Sequence, residues 1–184
     1  MPKIVNHQEI KHDLLKKSVS LFAKKGFLGI SMRGLAGELK VTTGTLYHYF
    51  TGKEDLYNKM LLSLANDDTR ELIKILSGSK NKMERYDHFL GFLESKVSYF
   101  QEAVLLLLDF NRIKDEEIDN LNFKNALEIY ECSLHKHLGL RSRENASKLL
   151  DYLIGIFTRS LLTLNTGVNF DSVKEFIISI EKEL

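Results

Sequence analysis

Proline occurs once in these 184 residues, at position 2, so almost nothing in the chain forbids a helix. Strand signals are weak as well, because β-branched runs bounded by turn residues are scarce. What remains is a succession of apolar residues at spacings of three and four, punctuated by glycines and by Ser, Thr, Asn and Asp at cap positions. That pattern predicts an all-α chain of about nine helices. Hydrophobic and charged fractions of 43% and 28% are those of a globular protein and exclude a disordered or fibrous chain.

The first predicted helix runs from Gln8 to Lys25, with Leu14, Leu15, Val19 and Phe22 on one face and Gly26 as the residue able to take positive φ beyond its end. Ser31 caps a short second helix that repeats Leu35, Ala36 and Leu39 on one side. Lys40 and Val41 form a tight connection to Thr42, the cap of a short third helix ending near Phe50. A longer helix is expected from Lys53 to Leu76, before the Ser77-Gly78-Ser79 break. Asn81 with Glu84 reads as a capping box, opening a helix whose stripe is Tyr86, Phe89, Leu90, Leu93, Val97 and Phe100. A shorter helix from Ala103 to Arg112 follows, then one from Glu117 to Leu138 closed by Gly139. Ser142 opens a long helix carrying Ala146, Leu149, Leu150, Leu153, Ile154, Phe157, Leu161 and Leu164 and ending near Gly167. Asp171 is the expected cap of the last helix, which bears Val173, Phe176, Ile177 and Ile180.

The net charge of +1 is unevenly distributed. Residues 1–60 hold ten Lys/Arg against five Asp/Glu, whereas the remainder holds sixteen against twenty. A basic head on an acidic body suits a chain whose head alone meets phosphate. The longest uncharged apolar run, Ala103 to Leu108, is too short for a membrane span. The opening Met-Pro-Lys-Ile-Val-Asn-His-Gln-Glu has no apolar signal core, and the single Cys132 has no partner for an internal disulfide. The expected compartment is therefore the cytoplasm, with no membrane association.

Two short helices joined by a tight turn and braced by a preceding helix form a helix-turn-helix, in which the second short helix lies in the major groove of DNA. Thr43, Thr45, Tyr47, His48 and Tyr49 make this third helix too polar for full burial, while Leu46 and Phe50 anchor its inner side. Hydroxyl groups in these positions suit base edges and phosphate oxygens. Gly44 has two readings: close approach of backbone to DNA, or a first-turn position where the usual glycine penalty is small.

The blocks Leu-Phe-Ala-Lys-Lys-Gly-Phe, Ser-Met-Arg-Gly-Leu-Ala and Val-Thr-Thr-Gly-Thr-Leu-Tyr-His-Tyr-Phe, followed by Lys53-Glu54-Asp55-Leu56, resemble the TetR (AcrR-like) signature over about the first 60 residues. The resemblance implies a DNA-binding head at residues 1–60 and an effector-binding, dimerising helical body at residues 61–184. It implies DNA contacts from Arg33 on the second helix, from Thr43, Gly44 and Thr45 to the bases, from Tyr47, His48 and Tyr49, from Lys53 to phosphate, and from Thr42. Alternatives stay open: one of Tyr47 and Tyr49 packs inward in such a helix, and Arg33 has Glu38 as a possible ion-pair partner. Gly34 and Gly37 depart from the helix formers usual there and weaken the second helix.

For the body, the resemblance implies a homodimer through the last two long helices, about 142–166 and 171–183, and a pocket for a small-molecule effector. The expected ligand contacts are Phe89, Phe110, Arg112, Tyr130, His135, Phe157 and Arg159, with Asp109 and Asn111 as further polar groups set in apolar segments. The activity implied is that of a transcriptional regulator, a repressor released from a pseudo-palindromic operator by its effector. The alternative on the same fold is a DNA-tethered module that holds a protein partner. Neither a phosphate loop nor a nucleophile elbow occurs, so no catalytic residue and no cofactor are expected. Cys132, His135 and His137 do not share one helical face and lack a fourth ligand, so no metal site is expected.

Overall fold

A computed structural model describes residues 6–112, 121–163 and 167–182, with the side chains of 110–112, 121 and 122 left aside. Among these residues are nine α-helices, one π-helical turn and no strand. In chain order the helices are α1 (His7–Lys25), α2 (Met32–Glu38), α3 (Thr43–Tyr49), α4 (Lys53–Leu76), α5 (Lys82–Ser95), α6 (Val97–Arg112), α7 (Leu121–Ser133), α8 (Arg143–Leu162) and α9 (Phe170–Lys182). The π turn, Leu134–Gly139, continues α7.

The caps expected from sequence form at four helix starts. Backbone N–H groups donate to the side chains of Ser31 (from Gly34, 3.1 Å), Thr42 (from Thr45, 3.0 Å), Asn81 (from Glu84, 2.9 Å) and Ser142 (from Asn145, 3.1 Å). Gly26 takes φ 70° as α1 ends, and its N–H reaches the Phe22 carbonyl at 2.8 Å.

Four boundaries differ from expectation. The stripe from Tyr86 to Phe100 is not one helix: the chain breaks at Lys96, which leaves helical geometry at φ −131°, and α6 begins at Val97. No glycine or proline marks this break; Lys96 pairs with Glu71 of α4, and its ammonium lies over the Phe92 and Tyr99 rings. The helix expected over Glu117–Leu138 turns to π geometry after Ser133, and its residues 117–120 lie outside the described ones. α8 stops at Leu162 rather than near Gly167, with Thr163 folding its hydroxyl back onto the Arg159 carbonyl at 2.9 Å; Leu164 lies outside the described residues. Asn169, not Asp171, caps α9 by accepting the Ser172 N–H at 3.2 Å, which leaves Asp171 in the first turn.

Burial divides into two clusters that α4 and α6 share. The first joins Leu14, Phe22, Phe27, Leu35, Leu46 and Phe50 to Leu56, Tyr57, Met60, Leu61 and Leu64 of α4 and to Leu106 of α6. The second gathers Leu72 and Leu76 of α4 with Phe89, Phe92, Val104, Leu134, Leu149, Leu153, Phe157, Val173 and Ile177. Spanning both, α4 runs 24 residues, about 36 Å at the usual helical rise. No helix among the described residues is long and apolar enough to cross a membrane.

Candidate nucleic-acid interface and body cavity

α2 buries Met32, Leu35 and Ala36, which the three- and four-residue spacing puts on one side, and leaves Arg33 on the other. Its end is a Schellman turn: the Val41 N–H reaches the Ala36 carbonyl at 2.9 Å and the Lys40 N–H reaches the Gly37 carbonyl at 3.2 Å. Lys40 holds the left-handed position of that turn at φ 57°, where glycine is the usual residue. This turn aims α3, whose Leu46 is fully buried and whose C-terminal cap Phe50 is 1% exposed.

The opposite side of α3 is polar and open. Thr42, Gly44, Tyr47 and His48 are exposed together with Arg33, while Thr43 and Thr45 are half-buried. The Thr42 and Thr45 hydroxyls bond each other at 2.8 Å. Of the two tyrosines, Tyr49 is the inner one, packed against the first core with its hydroxyl on His7 Nδ1 at 3.0 Å; Tyr47 is 55% exposed. Glu38 bonds Lys25 at 2.6 Å, which lowers its carboxyl below the usual range and leaves Arg33 turned to solvent. A Cβ at Gly44 would meet only the Thr42 hydroxyl, at 3.7 Å, so nothing inside the protein demands glycine there.

Lys53 lies at the first turn of α4, with its ammonium folded inward. It donates to the carbonyls of Phe27 (2.8 Å) and Ile30 (3.1 Å) and sits 4.2 Å from the Phe27 ring centroid. In this arrangement it fastens the loop between α1 and α2. A shallow groove between α1 and α3 sets His7, Gln8 and Lys11, which the sequence did not mark, beside the expected His48 and Tyr49. His7 and Tyr49 are 42 residues apart, and no local pattern joins them.

Head and body are tied at α6. The Tyr57 hydroxyl donates to the Leu106 carbonyl at 2.7 Å, and burial pushes that phenol well above its ordinary value. The Asp109 carboxylate accepts the Phe27 N–H beside Gly26, so this residue braces the head rather than facing a ligand.

In the body, Phe89, Tyr130 and Phe157 line one cavity of about 90 Å³, together with Leu72, Phe92, Phe100, Leu134, Leu153 and others. Its rings meet at 5.6 Å between Phe92 and Phe100, near-perpendicular, and at 5.6 Å between Phe100 and Phe157. Asp68 of α4 stands in the wall, 4% exposed, accepting the hydroxyls of Tyr99 (2.7 Å) and Tyr130 (2.6 Å). Burial raises its carboxyl to about 6, against the opposing pull of these two donors. Other expected ligand contacts lie elsewhere. His135 Nδ1 bonds the Leu140 carbonyl at 2.9 Å and closes the π turn; Arg159 lines a separate groove between α8 and α9 with Tyr152, Ile156 and Ser172. The side chains of Phe110, Asn111 and Arg112 lie outside the described ones. Cys132 is half-buried, and a hydrogen bond from Arg143 lowers its thiol. Among the described residues no three of His, Cys, Asp or Glu gather to hold a metal ion.

Residues 14–60 match the family model described as bacterial regulatory proteins, tetR family. The HTH-type transcriptional regulator HbdR of Aromatoleum sp. (strain CIB) is 29% identical over 105 residues, covering 57% of this chain and 45% of HbdR. The HTH-type transcriptional repressor KstR2 of Mycobacterium tuberculosis is 26% identical over 105 residues, covering 56% and 52%. The chain thus spans about half the length of the curated relatives it matches. In fold, it is similar to the transcriptional regulator FadR of Bacillus subtilis, solved in complex with stearoyl-CoA, with a TM-score of 0.70 at 14% identity over 96% of this chain and 99% of that one. The tetR-family match thus lies in residues 14–60, around α2 and α3, and the chain as a whole shares its fold with that solved regulator.

Proposed function

We propose that this chain is a DNA-binding transcriptional repressor that acts in the cytoplasm. In this reading residues 1–60 form the DNA-reading head and residues 61–184 the effector-binding and dimerising body. The observation that carries it is the α2–α3 unit: a rigid Schellman turn presents a helix whose inner side is locked by Leu46 and Phe50 and whose outer side offers Thr42, Thr43, Gly44, Thr45, Tyr47 and His48 beside Arg33. A two-fold dimer would set two such helices about one turn of DNA apart, some 34–36 Å, on a pseudo-palindrome. Support for dimerisation through α8 and α9 comes from apolar surface that one subunit leaves unburied: Leu162 is 80% exposed, and Tyr152, Ile156 and Phe176 are half-exposed.

Release by a small molecule is supported by the body cavity, whose wall includes Asp68, Thr69 and Leu72 of the same helix that starts at the Lys53 clamp. In this reading an occupant larger than about 90 Å³ displaces the α4 part of the wall and so binds one setting of α4 better than the other. Gel-shift titration against the promoter of the neighbouring gene tests the proposal, with Tyr47→Ala as the variant because its ring is exposed and holds no part of the core. The expected result is specific, dimeric binding lost in the variant. Equal affinity for unrelated DNA, or a variant as tight as the parent, would remove the reading.

A further inference from the structure

The body cavity is aromatic and almost wholly carbon at its surface, and just behind that surface lie two hydroxyls with no hydrogen-bond partner among the described residues. Ser133 Oγ is buried without a hydrogen-bond partner, in a residue 4% exposed, and so is Thr69 Oγ1. Both residues line the cavity. A helical serine or threonine in such a setting ordinarily folds its hydroxyl back onto the carbonyl four residues earlier, as Ser18 does to Leu14 at 2.8 Å and Thr158 does to Ile154 at 2.7 Å in this protein. Ser133 does not, and it stands where α7 changes to π geometry, a distortion that recurs at functional sites. A buried hydroxyl left unpaired is destabilising, and a ligand group that bonds it removes that cost.

Charge narrows the ligand further. Among the described residues no Lys, Arg or His lines the cavity, and the one acid among them, Asp68, already accepts two tyrosine hydroxyls. An anionic head group would enter a carbon-walled space beside a carboxylate with no cation to meet it. A cationic one would lose its hydration for a carboxylate whose oxygens are already engaged.

We infer that the body cavity binds a small uncharged aromatic molecule with one hydroxyl, its ring set among Phe89, Phe92, Phe100 and Phe157 and its hydroxyl on Ser133. This rests on the effector reading above and names its ligand class. A cavity of about 150 Å³ admits benzene. At about 90 Å³ this one receives a ring by a modest outward shift of its wall, which includes Thr69 and Leu72 of α4.

The test is direct calorimetric binding to the full chain without DNA, using phenol, toluene, benzoate and benzylamine. Phenol should bind saturably, toluene somewhat more weakly, and benzoate and benzylamine at least about tenfold more weakly than phenol. Ser133→Ala should weaken phenol about tenfold and leave toluene unchanged, so toluene also reports that the cavity of the variant is intact. Benzoate or benzylamine matching phenol overturns the uncharged class. Phenol unaffected by S133A overturns the role of the serine, and no binding of phenol or toluene overturns the inference altogether. Phenol that binds through Ser133 yet leaves a specific operator complex undisturbed upholds the ligand class and removes the effector reading.

Discussion

Replacing Asp68 by asparagine should remove a destabilisation that grows with pH. The side chain is 4% exposed, and its folded-state pKa is about 6 against an ordinary 3.8. Because the folded value lies above the unfolded one, the native state holds the proton more tightly. The stability this provides is present below about pH 3.8 and is lost as pH rises through about 6. A shift of about two units is worth about 3 kcal/mol in full, and integrating the linkage from about pH 5 to about pH 8 gives about 1.5 kcal/mol. The substituted amide cannot ionise; whatever it gains or loses against Tyr99 and Tyr130 is a constant offset. Glu38, Asp55 and Glu181, whose pKa values are lowered, push the other way with pH but are common to both proteins and cancel. Urea unfolding at a series of pH values should therefore show the midpoint of Asp68→Asn gaining on the parent by about 0.7 M between about pH 5 and about pH 8. A midpoint difference that stays flat, or that moves toward the parent as pH rises, would refute the account of a carboxylate raised by burial.

Three further outcomes follow from the head. Lys40→Gly relieves a side chain held at φ 57° and should stabilise the protein by about 1 kcal/mol, read as a rise of about 2–4 °C in Tm; an unchanged or lower Tm contradicts a strained turn. Gly44→Ala places its methyl in space bounded only by the Thr42 hydroxyl, so thermal stability should hold or rise while operator affinity falls in a gel shift. Full affinity would show that DNA does not approach that backbone. Asp109→Ala strips the Phe27 N–H of its acceptor and should cost about 1–3 kcal/mol, with faster amide exchange at Phe27; unaltered exchange there would deny the brace.

The local grammar of the helices was largely legible. Ser31, Thr42, Asn81 and Ser142 cap because a short side-chain oxygen is within reach of an N–H three residues on, an interaction contained in a few consecutive residues. The inner positions of α3 were legible for the same reason, since burial of Leu46 and Phe50 follows from helical spacing. What escaped depends on partners far along the chain. The break at Lys96 goes with its pairing to Glu71, the inward turn of Lys53 with carbonyls 23 and 26 residues upstream, and the burial of the Asp68 carboxylate with tyrosines 31 and 62 residues away. The cavity was half visible: Phe89, Tyr130 and Phe157 reach it, whereas the polarity of His135 and Arg159 within apolar runs gave no sign of which way they turn.

Leu106 has a consequence for engineering. It is fully buried in the cluster built by α1 to α4 although it belongs to α6, and the Tyr57 hydroxyl and the Phe27 N–H find their acceptors on the same helix, at Leu106 and Asp109. The end that carries α2 and α3 is therefore roofed by a piece of chain that lies beyond α4 and α5. A chimera that transplants residues 1–60 onto a foreign body would expose that roofless apolar face and leave two polar groups unmatched, unless the host supplies a leucine and a carboxylate at the equivalent places on its own sixth helix.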